Sequence, residues 1–144
     1  MDMAVASGMA LALVAATVLM HYEGLRLLSA RVLRDSGLRR SDMLVAIFGV
    51  IALHLLEIVV YGAGYWFADT TLGLGSFGGA REAGLIDYFH FSAETFTTLG
   101  LGDIYPLEGL RLLASVEAIN GLLLIGWSTS FTFIAMQRLW RGAD

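Results

Sequence analysis

Apolar residues fill three long stretches of this chain, and few ionisable residues interrupt them. Ala4–Met20 carries no charge and is rich in Ala, Val and Leu. Met43–Phe67 is broken only by His54 and Glu57. Leu110–Met136 has Arg111 near one end, followed by Glu117 and Asn120. Each is long enough for a membrane-crossing helix, which needs roughly 17–25 apolar residues. The first lies at the short end of that range. It is preceded by Asp2 and no basic residue, and no cleavage site follows, so it reads as a span rather than a leader.

The link between the second and third spans has a different pattern. Asp69–Gly84 is rich in Gly and small residues and reads as an exposed loop. In Leu85–Thr97, apolar positions Leu85, Ile86, Phe89, Ala93 and Phe96 recur at helical spacing together with His90. Such a helix is too short to cross the bilayer, and both its flanks lie on one side. It is therefore expected to enter the membrane and return, with non-helical backbone at depth lining a cavity or packed in protein. The expected fold is an all-α membrane protein with three transmembrane helices and a re-entrant pore helix. The expected parts are an added helix and link at 1–42, an outer helix at 43–67, a loop at 68–84, a pore helix at 85–97, a loop at 98–103 and an inner helix at 110–136.

Composition agrees with a membrane setting. The chain is 57% hydrophobic and 15% charged, with a mean hydropathy of +0.71. A soluble domain this small rarely carries so much apolar surface. The absence of cysteine excludes disulfides, thiolate metal sites and a thiol nucleophile. A net charge of -4 argues against a nucleic-acid partner. Arg26, Arg31, Arg34, Arg39 and Arg40 crowd the link between the first two spans, and Arg138 and Arg141 follow the third. The positive-inside tendency places that link and the C-terminus in the cytoplasm, with the N-terminus and the 68–109 region outside. Within the link, Gly24–Asp42 is partly amphipathic through Leu25, Leu28 and Val32. It reads equally as a helix lying on the inner surface or as a solvated turn.

One hexapeptide occurs twice. Thr70-Thr71-Leu72-Gly73-Leu74-Gly75 is repeated as Thr97-Thr98-Leu99-Gly100-Leu101-Gly102, and only the second copy continues into Asp103 and Pro106. A Gly-x-Gly run entered through threonines can form a ladder of backbone carbonyls that replaces the water around a potassium ion. The first copy follows a spanning helix that has just left the membrane, so it reads as a Gly-rich loop. The second follows the short helix, whose C-terminal dipole end favours a cation. An ordinary interhelical turn is the alternative for this second copy.

The flanks of the second copy decide between these readings. Phe91-Ser92-Ala93-Glu94-Thr95-Phe96-Thr97-Thr98-Leu99-Gly100-Leu101-Gly102-Asp103-Ile104-Tyr105-Pro106 resembles the pore loop of the potassium-channel superfamily, closest in type to bacterial two-helix channels. The resemblance runs from Met43 to Trp140, with the first span as an addition to a two-helix core. It implies a selectivity filter at Thr98, Leu99, Gly100, Leu101 and Gly102. Four carbonyls, from Thr98 to Leu101, and the Thr98 hydroxyl would form the potassium sites. It also implies filter support from Glu94 paired with Asp103, and from His90, which stands where relatives often carry Trp. Gly121 resembles the hinge glycine of the inner helix, and Gly126 is a second candidate. Four loops are needed to ring an ion, so the resemblance implies a homotetramer in the inner cell membrane. The implied activity is passive potassium conduction, with no catalysis, no cofactor and potassium as the permeant ion.

The remaining polar residues within spans are functional candidates by default. His54 and Glu57 share a face and read as a sensing pair or a packing hydrogen bond. As a metal site they supply only two ligands where zinc usually has three from protein. Glu117 and Asn120 face either a cavity beneath the filter or the back of the pore helix. Ser128, Thr129, Ser130 and Thr132 would in part line the inner vestibule. No span carries the spaced arginines of a voltage sensor, and the chain ends at Asp144 soon after the inner helix. Gating is therefore expected from the membrane, the filter, pH or a separate partner. Outside the channel reading stand a non-conducting scaffold and a membrane metal protein built on His54, Glu57 and Glu117. Leu101 replaces the usual filter Tyr and has no hydroxyl with which to brace the filter. Reversal potentials under potassium and sodium gradients are expected to show weaker selectivity than a Leu101→Tyr variant; equal selectivity would refute the effect.

Overall fold

The computed structural model describes residues 2–32, 40–79 and 83–141. Arg34, Arg39 and Arg81, and the side chain of Arg141, lie outside the described residues. In chain order the elements are α1 (Asp2–Val32), α2 (Arg40–Thr70), β1 (Phe77–Gly79), α3 (Leu85–Phe96), β2 (Ile104–Pro106) and α4 (Leu110–Arg141). The helices α1, α2 and α4 have 31, 31 and 32 residues. At ~1.5 Å per residue they are roughly 46–48 Å long, more than the ~30 Å hydrocarbon core. All three are apolar enough to cross a membrane, and the chain is an integral membrane protein. The 12 residues of α3 reach only about 18 Å, half of that core or a little more.

The first helix is longer than the apolar pattern alone implies. It runs through Gly24–Val32, so this part of the Arg-rich link is neither a surface helix nor a turn. Packing is the reason. A side chain at Gly24 would stand 2.7 Å from Leu53 Cδ2, and one at Gly49 would stand 2.4 Å from Leu28 Cδ2. The two glycines let leucines of the facing helix sink between α1 and α2. Leu25 and Val32 are buried with Ala46, Val50, Leu53 and Phe131 in an apolar cluster, while Arg26 and Arg31 stay exposed. The hydrophobic side of the stretch is thus spent on α2.

A second apolar cluster lies at the other end of the bundle. It joins Ala6 and Ala10 of α1, Tyr61, Tyr65 and Ala68 of α2, Phe91 and Phe96 of α3, and Leu110, Leu113 and Leu124 of α4. α1 packs on both α2 and α4, and α3 is held between the same two helices. Two glycines seat α3. A Cβ at Gly62 would meet Phe89 Cδ1 at 2.4 Å, and a Cβ at Gly121 would meet the Phe96 carbonyl oxygen at 2.3 Å.

In the loop expected at 68–84, the described stretch 68–79 is more structured than an exposed loop. β1 pairs antiparallel with β2 in the register Phe77 to Pro106, Gly78 to Tyr105 and Gly79 to Ile104. Phe77 drives this order, because its ring lies 4.8 Å from Phe91, 5.5 Å from Tyr88 and 5.8 Å from Tyr65. These edge-on aromatic contacts bind the strand to the ends of α2 and α3. Leu74 is buried, and its carbonyl accepts the Gly109 N–H at 3.0 Å. Gly121→Ala is expected to lower the thermal midpoint of the solubilised protein by overpacking of about 1–3 kcal/mol. Gly126→Ala, where a Cβ meets nothing within 4 Å, is expected to leave the midpoint unchanged or raise it.

Candidate functional site

The second hexapeptide begins at a specific helix end. Phe96 closes α3 and Thr97 caps it. The Thr98 N–H donates to the Thr95 carbonyl at 3.0 Å, and the Leu99 N–H donates to the Glu94 carbonyl at 2.8 Å. This is a Schellman arrangement, whose left-handed position is usually glycine. Here Thr98 occupies it with φ 58°. A left-handed threonine costs roughly 1–2 kcal/mol, which the two backbone hydrogen bonds of this helix end help to offset. The same positive φ returns at Gly100 (57°) and Gly102 (79°). Alternation of left-handed and right-handed residues turns successive peptide planes the same way, which gathers N–H groups on one side and carbonyls on the other.

The hydrogen bonds agree with that polarity. Glu94, half-buried on α3, accepts the Leu101 N–H at Oε2 (3.1 Å). Among the described residues, no carbonyl from Thr98 to Gly102 accepts a hydrogen bond. The first copy differs on both counts. Only Gly73 and Gly75 have positive φ, Thr71 does not, and the Leu74 and Ser76 carbonyls accept the Gly109 and Leu107 N–H groups. That copy ends α2 and clamps the start of α4.

The expected supports are arranged differently from the resemblance. Asp103 Oδ1 accepts the Ile104 N–H at 2.9 Å and makes no hydrogen bond with Glu94. Glu94 is occupied by the loop itself, through Leu101. His90 is exposed on α3 and makes no hydrogen bond among the described residues. Leu99 and Leu101 are 64% and 69% exposed, so most of each is left uncovered.

Behind the pore helix lies the carboxyl of Glu117, fully buried. Tyr65 Oη of α2 donates to its Oε2 at 2.5 Å, and Ser92 Oγ of α3 lies 2.5 Å from its Oε1. Ser92 Oγ also reaches the Ile58 carbonyl at 3.0 Å. Glu117 thus packs behind α3 and does not face a cavity. Asn120 has the same fate: its Nδ2 donates to Thr17 Oγ1 of α1 at 2.8 Å and to Tyr61 Oη at 3.1 Å.

His54 and Glu57 meet as their spacing implies, with His54 Nδ1 2.8 Å from Glu57 Oε2. The other carboxylate oxygen lies 2.7 Å from Nδ1 of His21 on α1. Ser128 Oγ stands 3.3 Å from His21 Nε2, so Ser128 is buried in the bundle and is not a vestibule residue. Thr129, Ser130 and Thr132 return their hydroxyls to carbonyls four residues back in α4. Gly121 is demanded by its contact with Phe96, whereas Gly126 is under no such constraint and is the freer candidate for a hinge. Sequence reading missed His21, Thr17, Tyr61, Tyr65 and Ser92. Thr17 and His21, one turn apart at the end of an uncharged run, carried a signal for the first two, since polar groups four apart share a helix face.

A short helix packed between two spanning helices, opening into carbonyls that accept no hydrogen bond among the described residues, fits a membrane protein of the pore-loop class. A family model described as ion channel matches residues 43–138, and the chain belongs to that family, the two-transmembrane channels of potassium-channel pore-loop type. No curated protein and no solved structure matched the chain. The match begins at α2, so α1 lies outside it. Tyr65→Phe leaves a buried Glu117 oxygen without its donor, and thermal unfolding in detergent is expected to show a loss of about 1–3 kcal/mol. An unchanged midpoint would mean the hydroxyl contributes nothing.

Proposed function

We propose that the protein is a potassium channel in which four copies surround a central axis. Each copy contributes Thr98–Asp103 as one wall of the filter. The observation that carries this reading is the alternation of positive φ at Thr98, Gly100 and Gly102, with no hydrogen bond among the described residues to any carbonyl from Thr98 to Gly102. Unpaired carbonyls in a membrane are costly unless water, protein or an ion satisfies them. A potassium ion on a fourfold axis satisfies four rings of them at once, from Thr98 to Leu101. The end of α3 adds its negative dipole to the same place. The fourfold assembly also covers Leu99 and Leu101.

Conduction is passive and needs no cofactor or catalytic group. The arginines of the 24–42 link and of the C-terminal end support a cytoplasmic side for those parts, with the filter opening toward the outer face of the cell membrane. A weakly selective monovalent cation channel is the second reading. It is favoured by one observation, the Leu101 side chain, which makes no bracing contact and leaves Glu94 as the loop's side-chain hold.

Barium-sensitive potassium flux into liposomes containing the purified protein tests the proposal. Gly100→Ala, which forces a side chain into φ 57°, is expected to abolish flux. Gly73→Ala has the same strain at φ 59° in the loop that ends α2, and is expected to keep most of the flux. Loss of flux in Gly73→Ala with flux retained in Gly100→Ala would overturn the assignment of the filter.

A further inference from the structure

We infer that His21, His54 and Glu57 form a binding site for a borderline divalent transition-metal ion such as Zn2+, tying α1 to α2. The inference goes beyond conduction and does not depend on it. Sequence spacing offers only two ligands, and the fold brings a third from the added helix. Their ligand atoms all lie within 4.8 Å of one another. His21 and Glu57 are fully buried, and His54 is 17% exposed.

The geometry is close to that of a bound ion. The Nδ1 atoms of His21 and His54 stand 2.7 and 2.8 Å from the two Glu57 oxygens. In a tetrahedral site with bonds of ~2.0–2.1 Å, neighbouring ligand atoms are roughly 3.3 Å apart. Those two contacts end on different Glu57 oxygens, so a one-oxygen ligand keeps one of them, which opens by roughly half an ångström, while the wider separations, all within 4.8 Å, close toward the same value. Two imidazoles and a carboxylate suit Zn2+ and its neighbours, while Mg2+ and Ca2+ favour all-oxygen shells.

The proton inventory also closes. In the hydrogen-bonded state each Nδ1–H donates to Glu57. Metal binding requires the Nδ1 lone pairs, so each ring carries its proton on Nε2 instead. Two neutral rings and one carboxylate then hold the dication with no change of oxidation state. For His21, the Nε2–H formed this way meets Ser128 Oγ, 3.3 Å away, as an outer-shell partner that fixes the tautomer. His54 also lines a pocket of about 220 Å3 between α2 and α4, with Ser128, Thr129 and Thr132 on its wall. Three protein ligands leave the fourth tetrahedral position open, as at catalytic zinc sites. Trp127 of α4, whose ring is 5.4 Å from that of His21, places the site against the inner helix.

Co2+ added to the purified full-length chain in detergent tests the site. Expected are a saturable visible absorption of tetrahedral type, its suppression by Zn2+, and a Zn2+-dependent rise in Tm. His21→Gln and His54→Gln keep an amide donor toward Glu57 but lose the metal ligand, and each should weaken Co2+ binding on the order of a hundredfold, with Ser128→Ala nearer tenfold. His90→Gln should leave Co2+ binding unchanged. Metal-free melting and circular dichroism establish that the variants fold. Two results overturn the inference: no saturable absorption and no Tm shift in the unsubstituted chain, or absorption that persists in folded His21→Gln and His54→Gln.

Discussion

The structure depends on the buried carboxyl of Glu117, which joins three helices at one point. Within a bilayer there is no water to satisfy a carboxyl group, so its partners must come from the protein. Tyr65 supplies one from α2 and Ser92 one from α3. The register of the pore helix against both spanning helices follows from that requirement, since a shift of one turn along α4 would leave the carboxyl unpaired. Gly62 and Gly121 complete the seat by letting Phe89 and Phe96 approach backbone. A polar contact sets the position, and the small residues allow the distance.

From that seat the loop inherits its unusual backbone. A Schellman end on α3 starts it in the left-handed region at Thr98, and glycines continue the alternation at 100 and 102. The Leu101 N–H is tied back to Glu94, which lies on the same helix. Among the described residues, the carbonyls from Thr98 to Gly102 accept no hydrogen bond. Leu99 and Leu101 are exposed beside them. The hexapeptide at 70–75 shows how much context matters. The same six residues, placed after a full-length helix, give the Leu74 carbonyl to Gly109 and, with the Ser76 carbonyl that follows on Leu107, serve as a clamp.

The added helix is integrated into the channel body by polar contacts at mid-depth. Thr17 meets Asn120, and His21 meets Glu57 and Ser128, in a layer between two apolar clusters. Among the described residues, no buried side-chain nitrogen or oxygen lacks a partner. Such a layer specifies how α1 is rotated and how deep it sits, which apolar packing alone would leave loosely defined in lipid.

Three spans, a short re-entrant helix and the second hexapeptide were all legible along the chain, because each is a local pattern. Apolar length sets the number of crossings, helical spacing identifies a helix too short to cross, and glycines in a run mark backbone that is neither helix nor strand. The roles of Glu117, Asn120 and His21 were not legible, because each depends on which face of a helix meets a neighbour. Spacing paired Glu117 with Asn120 and His54 with Glu57, yet the first two serve different partners and the second pair is a trio. The loop at 68–84 reads as exposed because its residues are small, while within its described part, 68–79, the one large ring, Phe77, finds three aromatic partners contributed by α2 and α3. The continuation of α1 past Met20 was hidden by its arginines, and only contact with Ala46, Val50 and Leu53 makes that stretch a helix worth extending. Sequence by itself determined the membrane class and the pore loop, since hydrophobic length and glycine placement act locally. Tertiary structure decided where every buried polar group points, since in a low-dielectric interior a polar side chain goes where a partner from another helix waits.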